Sequence, residues 1–190
     1  MTATATAKDG ASQVRRLAAG IMDSCRWRGW HLACAESLTG GLLADAFVSV
    51  PGASSVFLGS AVTYDEREKI QLLGVDADIL ERDGAVDPDV ACQMADGAAR
   101  LYGAALCGAP VAAMATTGIA GPDSDGFKPV GLVYVAISIP GTPTRVEKCR
   151  FDGDRAAIRC ASVAAAVELL HSTLFAERRR NERFRSTRLR

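Results

Sequence analysis

Apolar positions along this 190-residue chain switch repeatedly between a helical period and short unbroken runs. From Ser12 to Arg28, Val14, Leu17, Ala18, Ile21 and Met22 recur at helical spacing, which predicts an amphipathic helix that stops near Gly29. Trp30 to Ala35 reads as a buried strand, and Leu42, Leu43, Ala46, Phe47 and Val50 define a helix from about Gly40 to Val50, broken by Pro51-Gly52. Ser60 to Tyr64 is predicted as a short strand, Glu66 to Leu73 as a helix ended by Gly74, and Asp76 to Arg82 as another short helix. Asp87 caps a long helix from Pro88 to Cys107, with proline at its first position. Val111 to Thr116 is a second buried strand. Val130 to Ile139 and Thr144 to Phe151 flank Pro140-Gly141 as a hairpin, and Asp154 to Phe175 closes the pattern as a helix. Helices interleaved with strands, plus a late hairpin, predict a single layered α/β/α domain with a mixed central sheet.

Composition narrows the setting. An apolar fraction of 48% with 23% charged residues is ordinary for a globular domain, and no uninterrupted apolar segment reaches bilayer length. Met1 to Gly10 lacks a basic region followed by an apolar stretch, so residues 1–11 are expected as a flexible tail, 12–176 as the domain and 177–190 as an Arg-rich tail. The net charge is zero, yet Arg178, Arg179, Arg180, Arg183, Arg185, Arg188 and Arg190 crowd the end of the chain. With few aromatics and none interleaved with basic residues, nucleic acid is not an expected partner, and no membrane is expected either. Six cysteines without a C-x-x-C pair argue for a reducing cytoplasm, with no disulfide framework and no metal.

Candidate chemistry centres on Ser37 in Ala35-Glu36-Ser37-Leu38-Thr39-Gly40-Gly41, between a strand and a helix start. Unpaired N–H groups at a helix start suit an anion, and the two glycines let a backbone approach a ligand. From this segment alone, a capping role for Ser37 or Thr39 is the better account of the hydroxyls. The two histidines, His31 and His171, occupy a strand start and the last helix rather than a loop that converges on Ser37. A nucleophilic serine would then need another base, and a buried lysine of depressed pKa can serve. Against eighteen arginines stand four lysines: Lys8 in the tail, Lys128 in a loop, Lys148 on an outer strand, and Lys69. Alone, Lys69 reads as a helix-surface residue. Thr116 to Asp123 forms a glycine-rich turn after a strand, and Gly153-Asp154-Arg155 puts a cation in a helix's first turn, where an anion partner fits.

In order, these segments resemble one family. Ala35-Glu36-Ser37-x-Thr39-Gly40-Gly41, Val62-Thr63-Tyr64 with Lys69 and Leu73-Gly74-Val75, Gly84-Ala85-Val86, Thr117-Gly118-Ile119-Ala120-Gly121-Pro122-Asp123, Lys128-Pro129-Val130-Gly131 and Gly153-Asp154-Arg155 match the pattern of the CinA C-terminal domain family, the nicotinamide mononucleotide deamidases. The likeness runs from about Val14 to Phe175, in a form that looks stand-alone. It implies an amidohydrolase that converts nicotinamide mononucleotide to nicotinic acid mononucleotide and ammonia. Ser37 would be the nucleophile, Lys69 its base and Tyr64 a neighbour that positions or relays the proton. Thr39, Gly40, Gly41, Thr117, Gly118, Gly121 and Arg155 are expected to bind the substrate, with N–H groups around Thr39 to Gly41 receiving the oxyanion. A nucleotide substrate and a homo-oligomer are the partners it implies, and no cofactor or metal is required by that reaction.

The chain departs from the pattern at Leu38, at Leu58-Gly59-Ser60-Ala61, at Asp65-Glu66, at Asp87 and in a shortened 123–128 loop. The alternative reading is a pyridine-nucleotide-binding paralogue without catalysis.

Overall fold

The computed structural model describes the backbone of residues 3–187 except 107, and the side chains of residues 10–176 except 107. Lys8, Cys107 and the arginines from Arg178 onward therefore lie outside the described side chains. Five strands, β1 (His31–Glu36), β2 (Phe57–Val62), β3 (Val111–Gly118), β4 (Leu132–Ser138) and β5 (Arg145–Arg150), form one sheet in the order β2-β1-β3-β4-β5. β1 pairs parallel with β2 and β3, while β3–β4 and β4–β5 are antiparallel, so the sheet is mixed as expected.

Helices cover both faces. α1 (Ala3–Arg28), α2 (Leu42–Val48) and α6 (Arg155–Thr187) pack with Cys34, Met114, Val133 and Val135 on one face. α3 (Glu66–Leu73), α4 (Ala77–Asp83) and α5 (Pro88–Gly103) meet Ala35, Ala113, Ala115 and Ala136 on the other. Successive strand residues point to opposite faces, so this partition of the core follows directly from the alternation along β1 and β3. The chain leaves β1 through α2 on one side, then crosses to β3 through α3–α5 on the other. The carboxyl ends of β1 and β3 thus meet where the winding reverses, the place where open α/β sheets bind ligands.

Several boundaries moved for identifiable reasons. α1 begins at Ala3 rather than Ser12, and the backbone of α6 continues to Thr187. α5 stops at Gly103. β2 begins at Phe57, because Gly59 is not a breaker there: a Cβ at Gly59 would stand 2.9 Å from the Tyr102 ring, so the glycine admits that ring against the strand. One helical segment, Arg155–Ala176, is long and apolar enough by length and composition to span a bilayer, although Arg159 and Glu168 interrupt it. Its apolar side chains, among them Ile158, Val167, Leu170 and Leu174, are spent on the core of the domain.

α3 is held against α5 by an interface without slack. A Cβ at Gly97 would overlap the Leu73 carbonyl oxygen and lie 2.8 Å from the Leu73 Cβ. Arg100 reaches the same carbonyl at 3.0 Å. Gly97→Ala should therefore destabilise the protein by about 2–3 kcal/mol, the range of core overpacking, as read from its urea midpoint. An unchanged midpoint would show that α3 can move freely.

Candidate active site

Ser37 follows β1 directly, and its N–H donates to Thr116 O at 3.0 Å, extending the sheet by one residue. Next to it Thr63 N–H donates to Glu36 O at 2.9 Å. At the carboxyl ends of three parallel strands, Thr63, Ser37 and Thr117 therefore stand side by side. Ser37 and Thr117 face the α3–α5 layer, as their contacts show. Thr117 Oγ1 donates to Ala85 O, 2.6 Å away in the α4–α5 connection.

Lys69 comes to Ser37 from α3. Asp65 caps that helix by accepting from Arg67 N–H, and its side chain also holds the Arg67 guanidinium, which keeps the Asp65 carboxyl well below the usual carboxylate range. One turn later Lys69 points inward and is fully buried. Its Nζ lies 3.3 Å from Ser37 Oγ, 2.5 Å from Thr63 O and 3.4 Å from Tyr64 O. Burial lowers its pKa from 10.5 to about 8, outweighing the opposing pull of Glu66 and Asp65. A neutral amine has two N–H groups and one lone pair. If the two carbonyls accept those N–H groups, the lone pair can face the Ser37 hydroxyl, whereas the charged ammonium donates to all three oxygens.

The histidines play no part in this site. Roughly 20 Å of strand separates His31 from Ser37, and His171 stacks on Phe175 with ring centroids 4.2 Å apart. Among the described residues, no three His, Cys, Asp or Glu side chains gather as a metal would need.

The residue that organises the turn after Ser37 was not anticipated. Glu36 is completely buried on the opposite face of the sheet. Its carboxylate accepts from the N–H groups of Gly41 (2.8 Å), Leu43 (3.0 Å) and Ala44 (3.0 Å), and from Ser60 Oγ (2.8 Å). It thereby caps α2 from the preceding strand, so neither Ser37 nor Thr39 is the cap. Ser60, one of the departures from the family pattern, is part of this grip.

Three expectations change as a result. The N–H groups of Gly40 and Gly41 cannot receive an oxyanion, because they are already given to Ser37 O and Glu36. Both glycines instead serve the shape of the turn, with φ of 54° and 96°. Thr39 is not a substrate-binding side chain: it is fully buried, and its hydroxyl pairs with Thr116 Oγ1 at 2.8 Å behind the turn. What remains unpartnered in the turn, among the described residues, is the N–H of Leu38 and that of Thr39.

Tyr64 and Gly118 are corrected too. The Tyr64 phenol does not sit between Ser37 and Lys69. Its oxygen accepts from Arg155 Nη2 at 3.1 Å, and only its carbonyl touches the lysine. Gly118 is required by packing, since a Cβ there would meet Leu132 O and Val133 at 2.7 Å. Gly121 and Arg155 do come together. Arg155 Nη1 donates to Gly121 O at 2.8 Å, and no carboxylate pairs with this arginine among the described residues. This exposed arginine thus stands near the site with only neutral oxygens as its hydrogen-bond partners among the described residues. Beside it, Lys128 anchors the 123–128 loop by donating to Asp83 O and Val86 O.

The chain also resembles known proteins over most of its length. Residues 14–174 match the family model for the CinA C-terminal domain. A CinA-like protein of Myxococcus xanthus is 40% identical over 84% of this chain and 37% of its own length. A putative competence-damage inducible protein of Desulforamulus reducens is 43% identical over 74% of the chain and 33% of its own length. The chain therefore spans about a third of the length of these curated relatives. Among solved structures, a CinA-superfamily protein from Klebsiella pneumoniae 700603 superposes with a TM-score of 0.77 at 29% identity, covering 86% of this chain and 98% of that one. A competence/damage inducible protein from Agrobacterium tumefaciens gives 0.74 at 36% identity, over 84% and 94%. The chain belongs to the CinA C-terminal domain family.

Proposed function

We propose that this chain is an amidohydrolase that releases ammonia from the carboxamide of nicotinamide mononucleotide, leaving nicotinic acid mononucleotide. The observation that carries the reading is the 3.3 Å approach of a fully buried lysine amine, with pKa about 8, to Ser37 Oγ. A lysine kept for structure alone has no reason to be stripped of water beside a serine hydroxyl.

In this mechanism Lys69 takes the Ser37 proton as Oγ attacks the carboxamide carbon, and the resulting oxyanion is received by the free N–H groups of Leu38 and Thr39. Donors of this kind contribute about 3–4 kcal/mol each in known hydrolases. The ammonium of Lys69 then protonates the departing ammonia. Water, deprotonated by the same amine, clears the acyl-enzyme. Thr117 Oγ1 has its proton committed to Ala85 O, so it offers only lone pairs, which suit the N–H of a carboxamide. Arg155 supplies the unpaired cation that a phosphate monoester needs. The family resemblance supports the identity of the nucleotide.

Three measurements test the reading. Wild type is expected to release ammonia from nicotinamide mononucleotide, and Ser37→Ala or Lys69→Ala to lose about a thousandfold or more in kcat. Wild type that binds the nucleotide without releasing ammonia would leave the non-catalytic alternative standing. Arg155→Ala should raise KM for the nucleotide well beyond its effect on kcat.

The kcat/KM profile should rise with pH through an acid limb near pH 8, because only neutral Lys69 accepts a proton. A limb near pH 6 would point to another base.

Stability should follow the same titration. The folded-state pKa lies below the unfolded value, so at neutral pH the folded protein bears the whole cost of the buried charge. Between about 8 and 10.5 the unfolded chain holds the proton and the folded one does not, and stability rises with pH. Wild type should gain up to about 3 kcal/mol relative to Lys69→Met across that window. Parallel denaturation curves at every pH would contradict the assigned cause.

A further inference from the structure

Two arginines one helical turn apart open α6, and they do different things. Arg155 spans the mouth of the site. Arg159 reaches beneath the nucleophile turn, where Nε donates to Leu38 O at 2.9 Å and Nη2 to Thr39 O at 2.7 Å. Among the described residues no carboxylate pairs with it. Gly40 makes room for the guanidinium, since a Cβ there would stand 3.3 Å from Nη2.

In a planar trans peptide the carbonyl points away from the N–H of the next residue. By grasping Leu38 O, Arg159 fixes the direction of the Thr39 N–H, away from α6. Its hold on Thr39 O likewise turns Gly40 N–H away from α6, and that N–H binds Ser37 O at 3.2 Å. The Ser37 carbonyl, so occupied, leaves Leu38 N–H directed the opposite way. One guanidinium and one internal hydrogen bond therefore orient three consecutive peptide planes. The only main-chain donors they leave unpartnered are Leu38 N–H and Thr39 N–H.

We infer that Arg159 is the positioning residue of the oxyanion donors: its two-pronged grip aims the Leu38 and Thr39 N–H groups at the acyl carbon held by Ser37. The inference rests on the reading of Ser37 as a nucleophile. Arg159 itself gains and loses no proton. The attacking Oγ forms its bond to carbon, the carbonyl π pair moves onto oxygen, and that oxygen is what the two donors meet. Collapse re-forms the carbonyl and expels the amine, which leaves as ammonia with a proton from Lys69. A lysine at position 159 would keep the charge but not the planar fork that holds two carbonyls at once.

The test compares wild type, Arg159→Lys and Arg159→Ala in three assays. These are turnover of nicotinamide mononucleotide, the rate at which a fluorophosphonate modifies Ser37, and thermal unfolding. Phosphonylation places a negatively polarised oxygen on the same donors and needs no nucleotide. In both variants kcat and the phosphonylation rate should fall together by about 10- to 100-fold, less than the loss of a whole donor. KM should stay within about twofold, and the acid limb of the pH profile should not move. Millimolar ethylguanidinium should restore part of the rate to Arg159→Ala, which a folding defect would not permit. Rates within twofold of wild type in both variants would overturn the inference. A loss that follows the fall in Tm and resists guanidinium would overturn it too. If wild type is phosphonylated but does not deamidate the nucleotide, a slowed Arg159→Lys still supports the inference while the substrate reading fails. If Ser37 of wild type is not phosphonylated at all, both fall.

Discussion

The Glu36 carboxylate is the contact on which the rest of the site depends. It is buried without a cationic partner, a costly state for an ion unless hydrogen bonds compensate it. Three N–H groups of α2 and the Ser60 hydroxyl do so, with the partial positive charge of the helix start adding to them. One side chain thereby joins β1, β2 and α2 at the residue before Ser37. It also removes the donors of Gly41, Leu43 and Ala44 from any ligand. The chemistry of the turn is decided by what Glu36 leaves over.

The opposite layer contributes Lys69. Ser37 and Lys69 meet because β1 ends where α3 turns inward, and α3 sits there because Gly97 lets its last carbonyl press against α5. The amine is deprived of water, and among the described residues no carboxylate pairs with it directly, Glu66 and Asp65 acting only from a distance. Its partners are neutral carbonyls, which satisfy two N–H groups and leave a basic lone pair. A nearby aspartate in direct contact would have kept the ammonium form and ruined it as a base. Asp65 could have been that aspartate, but Arg67 occupies it on the surface.

Much of the layout was legible in the sequence. Periodicity separated the helices from β1, β3 and the β4–β5 hairpin, and Gly74, Asp87 and Pro88 marked helix ends as their backbone preferences require. The pairing of Ser37 with Lys69 was reachable only by resemblance, because thirty-two residues separate them and nothing in the local pattern of Lys69 distinguishes it from a surface lysine. Glu36 was missed since an acid at a strand end gives no hint that it faces inward. Thr39 and Thr117 looked alike as hydroxyls beside glycines. Strand parity separated them, placing one behind the turn with Thr116 and the other with Ala85 on the face that carries Ser37 and Lys69. Arg159 was invisible for another reason: its partners are main-chain atoms, which no residue type announces.

Arg159 is one case of a wider habit. Lys69 holds the carbonyls of Thr63 and Tyr64, Lys128 those of Asp83 and Val86, Arg155 that of Gly121, Arg100 that of Leu73 and Arg26 that of Gly52. Every amino acid presents the same carbonyl. The hold itself is therefore indifferent to the receiving side chain, while each donating position is tied to its length and charge. Tolerance at the receiving positions is set instead by their own surroundings: burial restricts Thr63, Leu73 and Val86, and positive φ restricts Gly52 and Gly121.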